Sequence, residues 1–117
     1  MRQDYRGAIL EYSKAIEIDN NDNLAYHFRG VAKDNLQDYR GAILDYDKAI
    51  EINNNDAGSY YNRGLAKIKI GQKDSGYKDL GKAGELGDYR ITKVIKEYYN
   101  QKEYYNQSKN FYYFCNN

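Results

Sequence analysis

The chain of 117 residues has no proline, no tryptophan and only one cysteine. Without proline the strongest helix breaker is absent, so helices can follow one another with only polar turns between them. The single Cys115 excludes a disulfide within the chain, which leaves an incidental thiol or an intermolecular disulfide. No run approaches the roughly 18 apolar residues of a membrane span. The first residues lack the apolar core of a signal peptide, which predicts a cytoplasmic location.

The charges are nearly balanced, with 18 basic and 17 acidic residues and a formal net charge of +1. This balance gives no reason to expect nucleic acid or an anionic membrane surface as the partner. The distribution is uneven, since residues 1–56 carry a net −4 and residues 57–117 a net +5. Ends of opposite sign favour head-to-tail contacts or steer a charged partner, unless they are ordinary surface variation.

Two pairs of segments repeat at the same interval. Residues 4–20 read DYRGAILEYSKAIEIDN and residues 38–54 read DYRGAILDYDKAIEINN, an offset of 34. Residues 26–33 and 60–67 share the pattern Tyr-x-x-Arg-Gly-x-Ala-Lys at the same offset. A repeat of this length indicates one supersecondary unit that is used more than once.

Each repeated segment has the spacing of an amphipathic helix. In residues 39–50 the apolar side chains recur at steps of three and four, along one helical face. Asp38 stands where an N-cap belongs, and residues 20–23 and 53–56 are polar breaks typical of turns. The unit is therefore helix–turn–helix. Because such a unit cannot bury its apolar face alone, the units are expected to stack.

The repeat resembles the tetratricopeptide-repeat (TPR) family, in repeats of the bacterial type. That family places an aromatic residue, then Gly four residues on, in its first helix, and Ala, an aromatic residue and Ala in its second. The matching positions are Tyr26, Gly30, Ala42, Tyr46 and Ala49 in one unit and Tyr60, Gly64, Leu80 and Ala83 in the next. The resemblance implies an all-α solenoid of about six helices, stacked as antiparallel hairpins.

The chain also departs from the family pattern. Arg29 and Arg63 stand where a Leu is usual, and each is predicted to pair with an acidic residue of the following helix, such as Asp45 or Asp79. Lysines replace an aromatic residue at 33 and 67, and the usual Pro is missing at 54 and 88.

On this pattern the chain divides into five segments. Residues 1–22 match only the second helix of a unit, and residues 23–56 form a full unit. Residues 57–87 form a degenerate unit whose second helix is interrupted by glycines, which indicate tight packing or drift. Residues 88–105 are predicted to form a capping helix, and residues 106–117 an aromatic tail of low complexity.

The resemblance implies a concave groove lined by the first helix of each unit, where a protein or peptide partner would bind. The groove residues carried over by position are Leu24, His27, Phe28, Val31, Asp34, Asn35, Tyr61, Asn62, Leu65, Ile68 and Lys69. Some of them could instead cover neighbouring helices. One subset of the family clamps the acidic carboxyl terminus of a chaperone with paired Lys and Asn. Only Asn62 fits that clamp, so this partner is not expected.

The first segment has the composition of a second helix without its own first helix. Five of its side chains would then form an exposed apolar strip, which predicts self-association or the docking of another protomer's aromatic tail. These residues are Tyr5, Ala8, Ile9, Tyr12 and Ala15.

The leading function is therefore a protein–protein interaction scaffold. The alternative is a self-associating or capping fragment of a longer repeat array with no ligand of its own.

No constellation in the sequence predicts an enzyme, a metal site or a cofactor. His27 is the only histidine and has no marked nucleophile beside it. Residues 19–23 lack the Gly and Glu that a calcium loop needs further on. A nucleic-acid-binding version, with bases stacked on tyrosines, is a minor alternative that would require strongly salt-dependent binding.

Overall fold

The computed structural model describes residues 4–90 and residue 93, and these residues form helices without strands. The predicted all-α class is confirmed. The helices are α1 (Tyr5–Ile18), α2 (Asn23–Asn35), α3 (Tyr39–Ile52), α4 (Ala57–Lys69) and α5 (Lys73–Glu85). Most of the predicted capping helix (88–105), the aromatic tail (106–117) and Cys115 lie outside the described residues.

Aspartate side chains start four of these five helices. Each accepts a hydrogen bond from the backbone N–H three residues further on, at 2.8 to 3.1 Å. The four N-cap residues are Asp4, Asp22, Asp38 and Asp56. Such a cap stabilises a helix by about 1 kcal/mol relative to Ala. α5 follows Gln72, which makes no side-chain cap, so this helix depends more on its packing.

The helices stack in chain order. α2 packs on α3 and α4 packs on α5, while α1 packs on α2 and α3 packs on α4. The core between them is made mainly of alanines, with Tyr46 and Leu80 as the largest fully buried apolar side chains. Small core residues let the helix axes approach closely, which is how short helices with few large apolar residues still bury an interface.

Glycines make the closest of these approaches. A Cβ atom on Gly64 would lie 2.7 Å from the carbonyl oxygen of Gly76, and one on Gly76 would lie 2.7 Å from the carbonyl oxygen of Gly64. α4 and α5 therefore touch through their backbones. The expected interruption of the last helix by glycines is wrong, because α5 runs without a break and Gly76 serves the tight packing.

Candidate partner-binding groove

The first helices of the two units lie side by side on one face of the stack. α2 contacts α4 directly as well as through α3. Between them is a pocket of about 240 Å³. Its lining residues are Val31, Asp34, Asn35, Tyr46, Asn62, Leu65 and Lys69. All of these except Tyr46 belong to the groove set expected from the sequence.

Asp34 lies at the junction of this pocket with the core. Its carboxylate accepts a hydrogen bond of 2.8 Å from the hydroxyl of Tyr46. Burial raises the pKa of Asp34 above its usual value, while the Tyr46 hydroxyl and the Lys69 ammonium act in the opposite direction. Burial and the nearby Asp34 carboxylate also raise the pKa of Tyr46. The phenol therefore stays protonated and holds Asp34 in place.

Lys69 supplies the cation of the pocket. Its Nζ lies 5.0 Å from the centre of the Tyr39 ring, within the range of a cation–π contact. The residue is exposed. The pocket thus presents a half-buried carboxylate on α2 and an exposed Lys69 on α4, whose ammonium lies over an aromatic ring of α3.

Two amide side chains complete the polar part of the pocket. Asn35 Nδ2 donates to the carbonyl oxygen of Val31 at 2.8 Å, which leaves its Oδ1 as an acceptor. Asn62 makes no hydrogen bond with any described residue, so both ends of its amide can serve a ligand. Val31 and Leu65 provide the apolar part. The mixture of apolar floor and few polar groups is typical of a recognition site.

The amino-terminal part of the groove is aromatic. Phe28 is 44% exposed and stacks on Tyr12 of α1 at 6.0 Å between ring centres. The His27 ring meets Phe28 edge-on at 5.0 Å. Leu24 is 59% exposed one turn earlier. These three side chains of the expected groove set lie on α2 outside the pocket, and Phe28 contacts α1.

His27 belongs to a polar network that links α2, α4 and the turn before α4. Its Nδ1 lies 2.6 Å from Ser59 Oγ. The Ser59 hydroxyl donates to Asp56 at 2.6 Å, and the Asn23 amide donates to the same carboxylate oxygen at 3.0 Å. Asn23 also donates to the carbonyl oxygen of Ala49 at the end of α3. The network therefore fixes the start of α4 against α2 and α3.

Burial lowers the pKa of His27 below its ordinary value, although Asp56 alone would raise it, and Arg90 lowers it further. The ring is thus neutral near pH 7. Burial alone would raise the pKa of Asp56, but the hydrogen bonds from Ser59 and Asn23 lower it. Since the Ser59 hydroxyl donates to Asp56, His27 is the donor to Ser59 Oγ. This is the reverse of the arrangement in which a histidine accepts a nucleophile's proton, and Ser59 is fully buried.

Five residues of the expected groove set do not line the pocket. They are Leu24, His27 and Phe28, described above, together with Ile68 and Tyr61. The Cγ1 of Ile68 lies 2.8 Å from the place of a Gly76 Cβ, so this side chain packs on α5. The guanidinium of Arg90 lies 4.1 Å from the centre of the Tyr61 ring. The helical register alone could not reveal either contact, because each depends on a neighbour distant in sequence.

The predicted arginine pairs are confirmed. Arg29 binds the Asp45 carboxylate with two nitrogens at 2.9 and 2.7 Å. Arg63 binds Asp79 in the same way at 2.8 and 2.7 Å. Both carboxylates are buried, so these pairs hold each hairpin together.

A second pocket, of about 210 Å³, lies on another part of the surface. It is formed by Arg40, Ile43, Leu44, Ile70 and Gln72. Sequence reasoning did not single it out, and it also missed Tyr46 and Ser59 near the groove. Tyr46 was recognised only as a packing residue of the repeat, and Ser59 carries no pattern that distinguishes it from an ordinary helix-start serine.

The strip expected on α1 is only half-covered. None of the residues of α1 is buried, and Tyr5, Ala8, Ile9, Tyr12 and Ala15 are all of intermediate exposure. Among the described helices, α1 packs mainly on α2.

A family model of the TPR repeat matches residues 35–71. Residues 35–71 are thus similar to a TPR repeat, in agreement with the resemblance seen in the sequence. The match spans the end of α2, all of α3 and all of α4, which are the elements that surround the pocket.

Solved structures show the same TPR fold across nearly the whole chain. One structure of MamA protein superimposes with a TM-score of 0.80 at 23% identity, over 95% of this chain and 62% of that one. Another MamA structure gives a TM-score of 0.76 at 21% identity, over 95% and 66%. The chain thus spans about two thirds of the length of these proteins, and at such identity the likeness concerns the fold. A comparison with curated proteins finds no significant match.

Among the described residues, no helix has the length and apolar character needed to cross a bilayer. The same residues contain no group of three or more His, Cys, Asp or Glu side chains placed to hold a metal ion.

Proposed function

We propose that this TPR domain binds a peptide segment of a protein partner in the groove between α2 and α4. The observation that carries the proposal is the pocket lined by Val31 and Leu65 on its apolar side and by Asn35 and Asn62 on its polar side. Its volume of about 240 Å³ is below the roughly 300–1,000 Å³ of small-molecule sites. It therefore suits one anchoring side chain of a longer ligand.

The groups around the pocket suit an extended peptide. An apolar side chain of the ligand would rest on Val31 and Leu65, while the Oδ1 of Asn35 and the amide of Asn62 would form hydrogen bonds with its backbone. The exposed ammonium of Lys69 would attract an acidic residue of the ligand next to the anchor. Phe28 would add aromatic contact at the other end of the groove.

A protein partner suits the charge distribution better than nucleic acid. Arg29, Arg63, Lys33 and Lys67 are all paired with buried aspartates inside the hairpins. They are not available to bind phosphates, which dominate the affinity of nucleic-acid-binding proteins. The proposed role is that of a cytoplasmic binding protein, and the buried donor geometry of Ser59 offers no nucleophile for catalysis.

Selection from a random peptide display library tests the groove. We expect the enriched peptides to share an apolar anchor flanked by acidic residues. Leu65→Glu and Asn62→Ala should each weaken their binding by about tenfold or more, while circular dichroism shows an unchanged fold. Leu44→Glu is the matched control, because Leu44 is 69% exposed and lines the other pocket.

Equal binding to the wild type and to Leu65→Glu would refute the groove assignment. Loss of binding only in Leu44→Glu would place the peptide in the second pocket instead.

A second candidate function is assembly through α1. The observation that favours it is that α1 has no buried residue, whereas five residues of the nearly identical α3 are buried. In this reading the strip Tyr5, Ala8, Ile9, Tyr12 and Ala15 joins the chain to another polypeptide.

A further inference from the structure

One face of α1 has a buried counterpart inside the same molecule. The α1 face is defined here as Ala8, Glu11, Tyr12 and Ala15. The residues 34 positions later are Ala42, Asp45, Tyr46 and Ala49 of α3. These are 0, 3, 0 and 0% exposed, respectively. On α1, Ala8, Tyr12 and Ala15 are only partly covered and Glu11 is exposed. The same kind of surface is thus fully covered in one repeat and partly covered in the other.

The helix that covers the α3 counterpart has a specific chemistry. On α2, the Cα of Gly30 sits so close to the Tyr46 ring that a Cβ would lie 2.7 Å from it. Arg29 and Lys33, on either side of this glycine, both bind Asp45, at 2.7 and 3.0 Å. The covering helix α2 therefore places a glycine against the aromatic ring of α3. On either side of that glycine, a basic side chain binds the same carboxylate.

The next hairpin repeats the arrangement. On α4, Gly64 lies against Leu80 of α5, and Arg63 and Lys67 both bind Asp79, at 2.7 and 2.9 Å. Both covering helices carry the sequence Arg-Gly-x-Ala-Lys. In both hairpins, a helix with this segment packs on a helix face that carries a buried aspartate.

On α1 the acidic residue at this position is Glu11, and no ion pair joins it to another helix among the described residues. Glu11 occupies the position of Asp45, and its side chain is 74% exposed. Its one ion pair in the described structure is with Lys14 on the same helix, at 3.4 Å, which is a weak surface contact. Tyr12 and the two alanines around it complete the surface.

We propose that the α1 face docks a helix of a partner protein that carries an Arg-Gly-x-Ala-Lys segment. The glycine would lie on the Tyr12 ring, and the Arg and Lys side chains would bind the Glu11 carboxylate. The inference rests on the assembly function of α1 proposed above and is independent of the groove.

A second copy of this chain is a poorer occupant. The two Arg-Gly-x-Ala-Lys helices of the described part, α2 and α4, are each already packed between two neighbours. Antiparallel pairing of two α1 helices would oppose Ala8 to Ala15 of the other copy. It would also bring two Glu11 carboxylates together at the centre, where like charges disfavour the contact.

A peptide that copies residues 22–36 can test the proposal on the full chain. A hydrocarbon staple between positions 24 and 28, both exposed in α2, would keep the peptide helical and remove the ordering cost. Binding would be followed by fluorescence anisotropy. We expect saturable binding that Glu11→Arg weakens by about tenfold or more. A peptide with Glu in place of both cations should bind the Glu11→Arg protein better than the wild type.

Glu17→Arg is the matched control, since Glu17 is an exposed acid on another face of α1, and it should bind like the wild type. Leu65→Glu should also bind the helix peptide normally, so a failure of the groove function remains distinguishable. Absence of saturation at millimolar peptide would overturn the proposal, as would equal binding of the charge-reversed peptide. A dimer in light scattering that the peptide cannot displace would overturn it in favour of a second copy.

Discussion

Arg63 and Asp79 form a two-point ion pair, and Arg29 and Asp45 form the same pair 34 residues earlier. Arg63 also reaches back to Asp47 of α3 at 2.8 Å, and Arg29 reaches back to Ser13 of α1 at 3.1 Å. Each arginine thus joins the helix that follows it and the helix that precedes it. Leucine, which the family usually has at this position, could only pack there, so the polar link is a property of this chain.

Replacing Asp79 with Asn should destabilise the protein by about 2–4 kcal/mol, because Arg63 and Lys67 would lose the buried carboxylate that both of them bind. Urea unfolding followed by circular dichroism measures this difference. Asp47→Asn is the control. Its side chain is 49% exposed and binds one nitrogen of Arg63, so we expect a loss below about 1 kcal/mol. Equal losses in the two variants would contradict the assigned importance of burial.

Gly64→Ala should destabilise the protein by about 1–3 kcal/mol, since the new methyl group would meet the Gly76 carbonyl oxygen at 2.7 Å and Leu80 Cγ at 2.9 Å. Because the Gly76 oxygen belongs to the backbone, it cannot move aside as a side chain could, and α4 and α5 would have to separate. In a helix without such a contact, the same substitution stabilises by up to about 1 kcal/mol. The sign of the change in thermal midpoint therefore decides whether the two backbones touch.

Ser59→Ala should cost about 1–3 kcal/mol, because Asp56 would lose a donor and His27 would lose its acceptor at a buried position. Ser75→Ala provides the comparison. Ser75 is exposed and only accepts a hydrogen bond from Lys67, so its loss should stay within about 0.5 kcal/mol. Similar unfolding midpoints for the two variants would mean that the network around Ser59 does not hold α4 in place.

Stability should fall as the pH is lowered below about 6.5. Burial lowers the pKa of His27 in the folded chain, so the unfolded chain takes up this proton at higher pH. The neutral His27 therefore contributes its full stability above its pKa in the unfolded chain. This contribution declines as the pH falls below that value, and it levels off below the lower pKa of His27 in the folded chain. Urea unfolding at pH 7.5 and 5.5 measures the decline. His27→Gln removes the only histidine and should flatten it; an unchanged slope would assign the effect to carboxylates.

Gln37→Gly should stabilise the protein by about 0.5–1 kcal/mol. Gln37, two residues after the last residue of α2, has a φ of +64°, and the corresponding residue after α4 is Gly71 with a φ of +90°. Left-handed backbone strains a residue with a Cβ atom but not glycine. Gly71→Gln, the reverse change, should destabilise by a similar amount. If both variants unfold at the wild-type midpoint, the two helix ends are not strained as their dihedral angles indicate.

The helices and their order follow from short-range patterns. Apolar steps of three and four and the N-cap at Asp38 predict α3, and the polar breaks at 20–23 and 53–56 mark where one helix gives way to the next. Because the interval of 34 occurs twice, stacking could be expected before any contact was known. The Arg29 and Arg63 pairs could be named in advance for the same reason, since the acidic partner recurs at a constant distance along the chain.

The pocket and the polar network depend on contacts between distant segments. The family resemblance assigned both Ile68 and Lys69 to the groove, but Ile68 packs on Gly76 while Lys69 borders the pocket. The glycines of α5 suggested a broken helix, yet the close contact with Gly64 makes them compatible with a continuous one. No local rule indicates how near two backbones will come.

The sequence by itself therefore determined the repeat, the helices, the stacking and the ion pairs, because each depends on spacing along the chain. Only the tertiary structure decided that Tyr46 forms part of the pocket, that Ser59 joins His27 to Asp56, and that Glu11 stays exposed where Asp45 is covered. Burial and hydrogen-bond partners arise when helices meet. Two almost identical helices, α1 and α3, can thus have different exposed surfaces according to what packs against them.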